Sequence, residues 1–135
     1  VTRKTPISLG ILTAVMLAWL PAVAEEPVVL TGTWVGTWWM GKYEEPIELH
    51  LTQANTGLVG RVTLWGYPIS GVTGIAAPVQ AAIEGTVEGP RVRLGWTTPE
   101  QGQFWVELTV QSPDTLFGVG GAERISTGFE LRRTP

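Results

Sequence analysis

Trp34, Trp38 and Trp39 stand close together near the start of the chain, and Trp65, Trp96 and Trp105 follow, with Phe104 and Phe129 beyond. Rings at this density suit binding better than bond-making. Each buries a large apolar face, and each indole brings one N–H donor that needs an acceptor when buried. Alternation along the surrounding segments places Trp34, Trp38, Trp96, Phe104 and Phe129 on one face, and Trp39, Trp65 and Trp105 on the other. Trp38, Trp96, Phe104 and Phe129 are therefore the candidate lining for a small apolar or aromatic ligand. Trp39, Trp65 and Trp105 are the candidate contact surface for a protein partner or a homo-dimer.

Other chemistries lack their parts. There is no cysteine, which removes disulfides, thiolate nucleophiles and Cys-ligated zinc. The single histidine, His50, lies between Leu49 and Leu51 on the polar face and reads as a solvated strand residue. No metal and no cofactor are expected. Glu44 and Glu45 sit in a segment bounded by Pro46, without the convergent geometry of a carboxylate pair. Ser70, Ser112 and Ser126 are in no nucleophile-elbow context, and Gly120-Gly121 is not followed by a phosphate-binding helix and Lys. A net charge of -3 argues against binding nucleic acid through phosphates. An enzyme is thus the weakest of three functional classes.

The elements that must position the rings are strands. Ile47, Leu49 and Leu51 alternate with Glu48, His50 and Thr52. The same period runs through Leu58–Leu64, Val79–Val87, Val92–Trp96, Phe104–Val110 and Ile125–Leu131. Asn55-Thr56-Gly57, Glu88-Gly89-Pro90, Pro99–Gly102 and Ser112-Pro113-Asp114 separate them as turns. Short connections favour antiparallel neighbours, so the expectation is an all-β, up-and-down antiparallel barrel of about eight strands. Gly36, Gly60, Gly85 and Gly118 fall at inward positions, where a closing sheet has to bend. Gly41–Pro46 and Gly66–Pro78 read as longer, irregular connections, the second with a weak strand at Ile69–Val72. The charged outer face argues against an outer-membrane barrel.

Residues 1–24 have the form of a signal peptide. Arg3 and Lys4 precede an apolar stretch from Ile7 to Leu20, and Ala22-Val23-Ala24 ends it. The apolar run is short for a membrane span, so none is expected after cleavage. Residues 25–135 form the expected mature barrel domain, periplasmic or secreted. Loss of Arg3 and Lys4 takes its net charge from -3 to -5.

Gly32-Thr33-Trp34 resembles the G-x-W signature of the lipocalin-like barrels of the calycin superfamily. The resemblance implies that Trp34 plugs one barrel end, with an arginine from the last strand stacked over it. Arg132 and Arg133 are the candidates, and alternation favours Arg133. Leu30–Trp34, Leu94-Gly95-Trp96 and Val119–Ile125 also resemble the avidin branch. That family's biotin-contacting Asn and Ser positions are Gly36 and Met40 here, so the resemblance implies the barrel and not biotin binding.

These residues support an exported, non-enzymatic barrel holding a small ligand. The rival is a solid barrel acting as an interaction or inhibitor module through its outward tryptophans and loops.

Overall fold

A computed structural model describes residues 28–65, 78–99, 102–123 and 125–135. The expected signal peptide and the weak strand at Ile69–Val72 lie outside the described residues.

Alternation becomes eight strands: β1 (Gly32–Met40), β2 (Tyr43–Ala54), β3 (Gly57–Leu64), β4 (Val79–Glu88), β5 (Arg91–Thr98), β6 (Gly102–Ser112), β7 (Thr115–Ala122) and β8 (Ile125–Arg133). Each pairs antiparallel with the next, and β1 pairs with β8 from Trp34↔Arg133 to Trp39↔Gly128, which closes the barrel. Closure pairs every strand on both sides, apart from the start of β4 and the end of β5, where their shared ladder stops at Glu84↔Gly95. The turns follow local backbone chemistry: Asn55 (φ 57°) opens the β2–β3 connection and Gly89 (φ 56°) the β4–β5 connection.

One connection differs from the sequence reading. Gly41–Pro46 is a two-residue turn, Gly41-Lys42, followed directly by β2. Pro46 lies inside that strand opposite Thr37. A proline lacks only the donor, and its carbonyl still accepts from the Trp65 N–H at 3.3 Å. The ladder therefore continues past it.

The inward set of all eight strands is buried, from Trp34 and Trp38 through Leu49, Val62, Ile83, Leu94, Val106 and Leu116 to Leu131. The four inward glycines stand where strands approach too closely for a side chain. A Cβ on Gly36, Gly60, Gly85 or Gly118 would run into the backbone oxygen of Glu130, His50, Arg93 or Glu107 respectively. Their register partners are Leu131, Leu51, Leu94 and Leu108. Each bend thus sets a large inward leucine beside a residue with no side chain, and volume is conserved.

The end formed by the close of β8 and the start of β1 is sealed. Leu30 and Trp34 are fully buried, and the Trp34 indole N–H donates to the Leu30 carbonyl at 3.0 Å. Gln53 holds the same segment, accepting from the Leu30 N–H and donating to the Val28 carbonyl.

Candidate ligand-binding site

Arg133 lies over the Trp34 ring, its guanidinium carbon 4.4 Å from the ring centroid. It also donates to the carbonyls of Val29 (2.7 Å), Thr31 (2.8 Å) and Pro113 (3.0 Å), and pairs with Asp114 at 3.4 Å. Gly32 (φ 144°) makes room: a Cβ there would sit 3.2 Å from the Arg133 Nη1. Arg132 is exposed and points away from the ring. These residues cover the interior at one end of the barrel, and a surface groove lined by Asp114, Thr115, Arg132 and Arg133 lies outside them.

The opposite end gathers the aromatic residues singled out in the sequence. Trp96 stacks on Phe104 with centroids 5.5 Å apart and planes at 21°. It meets Phe129 edge-on at 6.1 Å and 89°. Phe129 is in turn the register partner of Trp38. All four are buried. Trp96 on β5 therefore reaches side chains on β6 and β8, the two strands flanking β7. Beyond Leu116, the inward positions of β7 toward this end are Gly118, Gly120 and Ala122, small enough to leave space for the indole.

Hydrogen bonding separates Trp96 from the other interior indoles. Trp34 donates to Leu30, and Trp38 donates to the Trp65 carbonyl at 3.1 Å. Trp96 Nε1 has no partner among the described residues, although the side chain is only 3% exposed. Thr127 Oγ1, on β8 two residues before Phe129, is likewise buried and unpartnered. An orphaned buried polar group costs about 1–3 kcal/mol. Two of them at one end of the interior mark a place where a bound molecule gains polar contacts. Thr127 was absent from the sequence reading. Its signal was strict alternation between Ile125 and Phe129, which puts it inside despite its hydroxyl.

The barrel wall opens nearby. The β4–β5 ladder ends at Glu84↔Gly95. Beyond that point β4 continues against β3, and β5 against β6. The fork holds a groove of about 460 Å3 lined by Ala82, Glu84, Gly95, Trp96, Thr97 and Gln103. Its position makes Trp96 both a member of the buried cluster and part of the groove wall.

The three outward tryptophans lie on different parts of the chain, Trp39 in β1, Trp65 just after β3 and Trp105 in β6. Trp39 on β1 covers Gly128, whose added Cβ would strike the indole, and lies 6.3 Å from Phe117. Trp105 on β6 is 53% exposed. Trp65 follows β3, is half-buried and is tied to Pro46 and Trp38 through its backbone. Exposed Phe117 and Val119 on β7 extend the Trp39 side, and the sequence reading had not singled them out. His50 bonds Thr33 at 3.1 Å and lies 3.5 Å from Glu48 on the outer face. No group of three or more metal-ligating side chains occurs among the described residues.

No family model and no curated protein matches the chain in sequence. Its fold is similar to that of a redesigned beta barrel, at 18% identity and a TM-score of 0.65 over 78% of this chain and 92% of that one. It is also similar to a de novo designed fluorescence-activating beta barrel, at 18% identity and a TM-score of 0.61 over 78% of this chain and 94% of that one. At this identity the likeness establishes the small closed barrel and nothing finer.

Proposed function

We propose that the chain is an exported, lipocalin-like, non-enzymatic barrel that holds one small apolar or aromatic ligand at the Trp96 end of its interior. The observation that carries this reading is the orphaned Trp96 N–H within a buried aromatic cluster. An eight-stranded barrel encloses just enough room for packed side chains or one small molecule. A flat ligand would take the stacking face offered by Trp96, Phe104 and Phe129, and a single acceptor would satisfy Nε1. Trp38 would bound the site, and Thr127 Oγ1 would supply a second polar contact. The designed fluorescence-activating barrel of similar fold lends support at the level of architecture.

The test is titration of the purified protein with a hydrophobic fluorescent probe while tryptophan emission is followed. Saturable quenching with one site per chain is expected, weakened in Trp96→Phe, which keeps a ring and deletes the donor. Non-saturable quenching, or equal affinity in the variant, rejects the reading. The module alternative draws on half-buried Trp39 on β1 and exposed Phe117 and Val119 on β7, an apolar face that spans β8 and suits a protein contact. A concentration-dependent dimer, abolished in Phe117→Ser, would favour it.

A further inference from the structure

Glu84, Gly95, Trp105 and Gly121 are consecutive register partners across β4, β5, β6 and β7. They form one row on the outside of the barrel, running from the lip of the fork to an exposed indole. We propose that this row and the groove beside it bind a neutral carbohydrate, at a site separate from the barrel interior.

The first argument is the floor around Trp105. Its neighbours in the row on both sides are glycines, which bring no side chain of their own against the ring. An indole more than half exposed is costly to leave in water unless something covers it. Gly95 is informative because packing does not demand it. A Cβ there would lie 3.6 Å from the Phe104 oxygen and 3.9 Å from the Glu84 oxygen, which is ordinary contact. Glycine weakens a strand interior, and one that no neighbour requires marks a close approach by something else. Gly121 differs, since its Cβ would strike the Ile125 carbonyl.

The second argument is the polar side of the groove. Thr97 and Gln103 are register partners, exposed, and both line it together with Glu84. Hydroxyl, amide and carboxylate offer donors and acceptors at the spacing of neighbouring strands, about 5 Å. From Glu84 to Trp105 is two such spacings, about 10 Å. A sugar presents hydroxyls around its rim and polarised C–H bonds on its face. The rim suits Glu84, Gln103 and Thr97, while the C–H face complements the electron-rich face of an indole.

Charge selects among ligands that stack on tryptophan. Glu84 is the charged side chain in the groove wall. The nearby Arg93 is paired with Glu107 at 3.8 Å, and Arg61, opposite Ala82, donates to Gln80 at 3.4 Å. A phosphorylated or carboxylated ligand would meet a carboxylate, with the Arg93 and Arg61 guanidinium groups already engaged. A purely apolar ligand would strip water from three polar side chains without replacement bonds. A neutral polyol does neither.

The experiment is calorimetric titration of the full chain with cellohexaose, chitohexaose and maltohexaose, and with adenosine monophosphate as the stacking control. At least one hexasaccharide is expected to saturate a single site. Trp105→Ala and Gly95→Val are each expected to weaken it at least about tenfold, or about 1.4 kcal/mol. Gly95→Val introduces a strand-favouring residue whose Cβ makes only ordinary contacts, so a melting temperature at or above wild type shows that the barrel is intact. Thr127→Val alters the interior and should leave sugar binding unchanged, which separates this site from the proposed interior one. Saturation by none of the three sugars overturns the proposal. So does affinity retained in both Trp105→Ala and Gly95→Val, or saturable binding of the nucleotide alone.

Discussion

Thr127→Val should make the ligand-free protein more stable while weakening its hold on an interior ligand. The side chain is 5% exposed, and its hydroxyl has no partner among the described residues. Valine has nearly the same shape, so packing against Phe129 and the small inward face of β7 is preserved. The change removes an unmet desolvation penalty of about 1–3 kcal/mol. It adds about 0.8 kcal/mol of apolar burial for the new methyl group, and valine is well suited to a strand. A net gain of about 2–4 kcal/mol is expected, or roughly 8–16 °C in melting temperature for a domain of this size. Urea unfolding of the ligand-free protein, with the slope compared between variants, is the assay. A loss of stability at unchanged slope would show that the hydroxyl is satisfied in solution. The argument from an orphaned group would then fail for Thr127 and weaken for Trp96.

At the sealed end, Arg133→Ala should cost more than a surface change, because charge-assisted bonds to three carbonyls are lost together with the Trp34 contact. A double-mutant cycle with Trp34→Phe should give coupling of about 0.5–2 kcal/mol, and the same cycle with Arg132→Ala close to zero. Gly60→Ala should destabilise by about 1–3 kcal/mol or more in urea unfolding, since its methyl would strike the His50 carbonyl. Unchanged stability there would contradict the account of barrel bending. N-terminal sequencing of exported protein should find Glu25 first, and an intact leader would refute export by cleavage.

Much of the architecture is legible in the alternation itself. Six of the strands lie on runs such as Ile47–Leu51 and Phe104–Val110 whose two faces differ in polarity, and the turns fall at Gly, Pro and Asn. Closure is legible more indirectly, through glycines at inward positions opposite leucines. The pull of Pro46 toward a loop was misleading, because a proline deletes only one donor from a ladder. The inward place of Thr127 follows from parity with Ile125 and Phe129, although its hydroxyl gives no hydropathy signal for the interior. The parity of Trp39, Trp65 and Trp105 is readable from sequence, whereas their scattering around the barrel depends on register and closure. The fork at Glu84↔Gly95 has no local signal, since the residues on both sides of it continue as good strands. What opens there is a relation between two strands, and a periodicity within one strand carries no trace of it.

The central claim is that the Trp96 end of the interior holds a small molecule. Native mass spectrometry of the protein purified from its own host addresses it most directly, with the Trp96→Phe variant prepared in parallel. The expected result is one small molecule per wild-type chain, released on denaturation and diminished in the variant. A wild-type preparation that shows the bare chain mass alone would contradict the claim, and would leave the barrel interior as packing.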